Sequence, residues 1–137
     1  MAYWLVKSEP DAFGWSDQVA RGVEPWTGMR NHMARNNLRA MRRGDRAFFY
    51  HSNVGKEIVG VVEVVREAYA DPTAEGGDWV CVDMRTVGPM PRPVSLAGIK
   101  ADPALDGLAL IRQSRLSVMP VSELHWAHIC RLGGWEE

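Results

Sequence analysis

The sequence predicts an α+β fold, a small closed or nearly closed β-barrel of about five short, mostly antiparallel strands decorated with short helices. Three observations lead there. Apolar runs of strand length recur between Gly, Pro and Asn/Asp turns. Helical periodicity is confined to a few short windows. Strands do not alternate regularly with long helices, which argues against a doubly wound sheet. A chain of 137 residues, 46% apolar and 24% charged, is expected to form a single domain spanning 1–137.

Residues 3–8, YWLVKS, read as a first strand, with Trp4, Val6 and Ser8 on one face and Tyr3, Leu5 and Lys7 on the other. Pro10 ends it, so Lys7, Ser8 and Glu9 lie at a strand end. A short helix follows, with Ser16 as N-cap, Asp17 in its first turn and Gly22 as its stop. Residues 22–28 read as loop, and Trp26 within it either folds back into the core or presents its ring to a ligand. The spacing then predicts a helix over 30–41: Met33, Ala34, Leu38 and Met41 share one side with Arg30 and Asn37, while Arg35, Arg39, Arg42 and Arg43 gather opposite. Asn37 is expected to tie the helix to neighbouring backbone, and Arg30 to border a ligand.

After an Arg43-Gly44-Asp45 turn, a strand over 46–52 alternates Phe48, Tyr50 and Ser52 against Ala47, Phe49 and His51. Residues 58–67 form the most apolar strand, and 79–87 pair with it across a loop, antiparallel. Pro89, Pro91 and Pro93 are expected to prevent regular pairing. Ser95 caps a brief helix, LAGIKA; residues 115–119 make a last short strand. Ser122 opens a final helix in which Val121, Leu124, His128 and Leu132 share a face.

Composition narrows the function classes. A formal charge of −1 argues against coating duplex DNA by bulk electrostatics, so any nucleic-acid contact must be local. Cys81 and Cys130 are far apart without a CxxC partner, which suits two buried thiols in a reducing compartment. The start, MAYWLVKSEP, does not read as a signal peptide, and the chain has no apolar window of membrane-spanning length, so a cytoplasmic monomer without membrane contact is expected.

One stretch concentrates groups that contact nucleic acid. Residues 26–52 hold a tryptophan, six arginines, three asparagines and a Tyr50-His51-Ser52 strand end, with Asp45 as the single acid. Arginines pair with phosphates, amides read base edges and aromatic rings stack on bases.

The blocks YWLVKSEP, WTGMRNHMARNNLRAM, GDRAFFYHS, IVGVVEVVREAY, DPT and RLSVMPV, in this order, closely resemble the EVE domain family of the PUA-like superfamily. The resemblance implies a PUA-like pseudo-barrel with a pocket for a nucleobase, modified and flipped out of DNA or RNA; no cofactor is expected. Carried onto this chain, the pocket would draw on Lys7, Ser8, Glu9, Trp26, Arg30, Asn31, Arg35, Asn36, Tyr50, His51 and Ser52, with Arg112, Gln113 and Ser114 closing the rim. Trp26 or Tyr50 would supply the flat wall, Ser8, Asn31 and Ser52 the edge contacts, and Arg35, Arg39, Arg42 and Arg43 the phosphate contacts.

Catalytic signatures are sparse: the sequence has no GxSxG, Walker or dinucleotide fingerprint. His125, His128 and Cys130 make a weak metal pattern; His128 is expected to pack inward and His125 to face water. A non-catalytic reader is therefore the first expectation. The alternative is an enzyme acting on modified nucleic acid or nucleotides, with His51 as acid or base and Lys7 stabilising charge.

Overall fold

In the computed structural model, which describes residues 1–136, the chain opens with strand β1 (Tyr3–Ser8) and helices α1 (Pro10–Phe13) and α2 (Trp15–Arg21). A short strand β2 (Val23–Pro25) precedes helix α3 (His32–Ala40). Strands β3 (Arg46–His51), β4 (Glu57–Ala70) and β5 (Val80–Ser95) follow. Helix α4 (Leu96–Ala101), a 3₁₀ turn (Pro103–Leu105), helix α5 (Ala109–Arg112), strand β6 (Val118–Val121) and helix α6 (Glu123–Gly133) complete the fold. All six strands join one sheet in the order β2-β5-β4-β3-β1-β6. The β1–β3 pair is parallel, and every other pair is antiparallel.

The α+β class holds, but the sheet is open and not the closed or nearly closed barrel expected. Its edges are β2 and β6. β2 has three residues and ends in Pro25, which has no N–H to extend a ladder. Helix α3 packs against β4, β5 and β6. From α3, Asn37 Nδ2 donates to the edge carbonyl of Val118 at 2.7 Å, the structural tie expected of it.

β1 and β3 lie in a part of the sheet covered on both faces, by Trp126 of α6 on one and by Trp15 and Trp26 on the other, so simple alternation fails. Trp4, Leu5 and Val6 are all buried, as are Ala47, Phe48, Phe49 and Tyr50. Phe48 stacks on Trp126 of α6 with ring centroids 3.9 Å apart. Phe49, on the opposite face, meets Trp26 at 5.5 Å and Trp15 at 5.2 Å. Trp15 lies against β4 at Gly60, where an added Cβ would run into its six-membered ring.

One local expectation holds and two are corrected. The prolines do break regular pairing, although β5 continues through them to Ser95. Ile58 pairs with Val94 and Gly60 with Pro89, so residues 90–93 bulge opposite Val59 alone. Met33 is half exposed, because α3 starts at His32 and Met33 falls on the margin of the Ala34/Leu38 stripe. In α6 the buried face is Trp126, Ile129, Cys130 and Gly133, an i, i+3, i+4, i+7 set that leaves Leu124 83% exposed. Both cysteines are buried, and neither is in a disulfide. No helix among the described residues is long and apolar enough to cross a membrane.

Candidate functional site

The carboxyl ends of the parallel pair lie side by side, with Lys7 opposite Tyr50 and Ser8 opposite His51. Three cavities open around them. The first, about 350 Å³, is walled by Phe13 and Trp26 and reached by Lys7, Ser8, Thr27 and Met29. The second, about 340 Å³, includes Lys7, Tyr50, Ser52, Lys56, Lys100 and Ser114 in its lining. The third, about 340 Å³, lies between Asn31 and Met33 on one side and the Arg112, Gln113, Ser114 run on the other. Lys7 is common to the first two and Ser114 to the last two, so the three form one track.

The first cavity is built on a fixed indole. Of the two fates open to Trp26, the ring folds inward, 5% exposed, yet still forms a cavity wall. Its backbone N–H donates to Val82 O at 2.8 Å, continuing the β2–β5 pairing past Pro25. Its Nε1 approaches Gln18 Oε1 at 3.4 Å. Gln18 is wholly buried, and its Nε2 donates to Met84 O at 3.2 Å, so α2 and β5 together set the ring. Phe13 meets the indole edge-on at 6.2 Å. Ser8 Oγ donates to Phe13 O at 2.6 Å, which holds α1 over the strand end and leaves the hydroxyl's lone pairs for another donor.

Lys7 Nζ donates to Ser114 O at 2.9 Å and lies 6.0 Å from the Tyr50 ring centre. Burial pushes the Lys7 ammonium below its ordinary pKa and the Tyr50 phenol above its own. His51 has a different occupation from the acid-base role considered for it. Its Nε2 accepts the backbone N–H of Trp15 at 3.0 Å, which requires a lone pair there, and burial holds its pKa below the ordinary value. The imidazole is a neutral strut between β3 and the start of α2.

Several predicted residues do not line the Trp26 cavity, for identifiable reasons. Glu9 caps α1 from an exposed position and accepts Asn53 Nδ2 at 3.1 Å. Arg30 donates to buried Asp71 at 3.1 Å and to Thr73 Oγ1 at 3.1 Å. Asn31 is the N-cap of α3, accepting Ala34 N–H at 3.0 Å. Arg35 and Arg39 both bond Asp78, at 2.7 and 3.1 Å, and Arg35 also contacts the exposed Asn36 amide. The Arg42 guanidinium donates to the Arg39 and Met41 carbonyls, and Arg43 is exposed. His128 Nε2 lies 2.7 Å from Asp102 Oδ2, and His125, His128 and Cys130 are not gathered as ligands among the described residues.

Sequence reasoning missed Phe13, Thr27 and Met29 in the first cavity and Lys56 and Lys100 in the second. Phe13 carried a signal, as one of two aromatics, with Trp15, in the short stretch after Pro10. The two lysines carried none, since only the tertiary fold brings them together.

Comparison with known proteins agrees with this architecture. The model of the EVE domain matches residues 2–132. A solved structure of a protein from Agrobacterium tumefaciens is 51% identical, with a TM-score of 0.96, covering 98% of this chain and 94% of that one. The human THYN1 protein, solved in complex with 5-methylcytosine containing DNA, is 31% identical with a TM-score of 0.88, over 100% of both chains. Mouse thymocyte nuclear protein 1 is 35% identical over 95% of this chain and 73% of its own length.

Proposed function

The chain belongs to the EVE domain family, and from that premise we propose that it is a non-catalytic nucleic-acid-binding module that takes a modified nucleobase, flipped from its strand, into the cavity beside Trp26. The observation that carries this reading is the wall itself: an indole fixed by a ladder hydrogen bond, a buried glutamine and two phenyl rings, facing a cavity of about 350 Å³ with ample room for one heterocycle. Such a ring loses little freedom when a base stacks on it, so most of the stacking energy, about 1–3 kcal/mol per base, is retained.

The cavity's polar groups suit the edge of a pyrimidine. Ser8 Oγ can accept from an exocyclic amine, Lys7 Nζ can donate to a ring nitrogen or carbonyl, and Phe13 and Met29 offer apolar contact to a methyl group. The human THYN1 complex makes 5-methylcytosine the first candidate. Flipping a base from a duplex costs a few kcal/mol, and the net charge of −1 supplies no general attraction. Single-stranded or modified sites are therefore favoured.

Fluorescence anisotropy with short single strands carrying one 5-methylcytosine or one cytosine tests the assignment. Burying one methyl contributes about 0.8 kcal/mol, so the methylated strand is expected to bind about fourfold more tightly. Trp26→Phe and Ser8→Ala should each bring that ratio toward one. An undiminished ratio in both variants would remove the base from this cavity.

A further inference from the structure

The chain contains three lysines against thirteen arginines, and all three, Lys7, Lys56 and Lys100, line the second cavity. They come from different places: the end of β1, the turn before β4 and the last turn of α4. The lining includes no carboxylate, and among the described residues none of the three ammonium groups is ion-paired. The arginines of α3, by contrast, are held by Asp78 or by backbone carbonyls. Tyr50, Ser52 and Asn53 add neutral polar groups, while Leu96, Leu110 and Ile111 make an apolar side.

We infer that this cavity is a phosphate seat: it takes the phosphate of a nucleotide against the three ammonium groups and the adjoining sugar or base against the leucine-isoleucine side. Lysine suits the task as a compact charge with three rotatable donors that can follow a phosphate's oxygens. An excess of positive charge converging on a carboxylate-free concavity attracts an anion. A volume of about 340 Å³ exceeds what a phosphate alone would fill, which is why a nucleotide and not a bare anion is the fitting occupant. Because Lys7 also reaches the Trp26 cavity, the seat is placed for the phosphate next to the flipped base; only this placement on one strand rests on the base-reading assignment.

Two measurements test it. Selective ¹⁵N-lysine labelling gives three backbone amide signals, each reporting on the cavity. Titration with cytidine monophosphate should shift all three, whereas cytidine should leave Lys56 and Lys100 unmoved. Inorganic phosphate shifting them as strongly as the nucleotide would reduce the site to a bare anion site and overturn the nucleotide claim. In the second measurement, Lys56→Ala/Lys100→Ala should weaken binding of methylated and unmethylated single strands equally, by about tenfold, and lower the salt slope by about 1.4, that is 0.7 per lost contact. The methylated-to-unmethylated ratio should be unchanged, since it reports the Trp26 cavity. Shifts with the mononucleotide but an unchanged slope would keep the phosphate seat and detach it from the strand. Neither shifts nor a slope change would overturn the proposal.

Discussion

The Trp26 cavity and the arginine face of α3 come from one continuous stretch of sequence, yet they are held by opposite kinds of force. The bonds that fix the cavity's indole and phenyl wall are neutral, Trp26 to Gln18, Ser8 to Phe13 and Trp15 to His51, and the Arg21–Glu24 ion pair in its lining is the exception. Along α3 and the turn before it they are ionic: Arg30 to Asp71, and Arg35 and Arg39 to Asp78. Density of charge in a sequence is thus a poor guide to charge available for a ligand. Of the four guanidinium groups that look most like phosphate contacts, those of Arg35, Arg39 and Arg42 already have partners, whereas three lysines scattered over 94 positions line one cavity without any acid.

The largest test of this division is Asp71. Its side chain is wholly buried and accepts from Arg30, from Gly28 N–H at 2.8 Å and from Thr73 N–H at 2.8 Å. Asp71→Ala leaves those donors unmatched and is expected to cost about 2–3 kcal/mol in urea unfolding, at the lower end for a buried pair because Arg30 keeps some solvent contact. Although burial alone raises a carboxyl's pKa, the hydrogen bonds from Thr73, Gly28 and Arg30 win and bring Asp71 to about 2, below the ordinary 3.8. A depressed carboxylate stabilises the fold above its unfolded pKa. That contribution, about 2 kcal/mol, should therefore be complete above pH 4 and vanish as pH falls through about 2. An acid-unfolding curve identical for wild type and Asp71→Ala would show that the ionic loop does not hold the region.

A smaller effect belongs to the neutral side. With the folded pKa of His51 lowered by burial, the unfolded chain takes up its proton first as pH drops. Its bond to Trp15 should contribute fully above about pH 6.5 and weaken as pH falls through the lower folded value. His51→Phe should cost about 1 kcal/mol at pH 7.5, and its deficit against wild type should narrow toward pH 5. A deficit independent of pH would mean that the ring acts by packing alone.

What could be read from the residues and what could not follow the same division. β1, β3 and the apolar part of β4 were visible because their apolar runs are intrinsic to the segment. β2 was not, since Val23–Pro25 is a strand only by pairing with β5. The open sheet was hidden for a similar reason: nothing local says that β2 and β6 will stay at its edges, unpaired with each other. At the site, Lys7, Ser8 and Trp26, which their strand-end and loop positions left open and the family resemblance proposed, line the first cavity. Arg30 and Arg35 were overvalued because their acids, Asp71 and Asp78, lie 41 and 43 residues away in the chain. Lys56 and Lys100 had no local mark at all.

The finest test releases arginine without touching either cavity. Asp78 is exposed and bridges Arg35 and Arg39, and its pKa is lowered chiefly by the Arg39 hydrogen bond. Exposed pairs of this kind are screened by salt and hold little of the fold. Asp78→Asn should therefore leave the unfolding midpoint almost unchanged while raising the local charge by one and removing the carboxylate from two guanidinium groups, Arg39 keeping its bond to the residue-78 carbonyl. If α3 flanks the bound strand, affinity for methylated and unmethylated oligonucleotides should rise together, with a salt slope steeper by less than one unit. If affinity does not move while Lys56→Ala/Lys100→Ala lowers it, the strand runs past the lysines and away from the helix. The arginine ridge then serves only to pin α3 to the loop before β5.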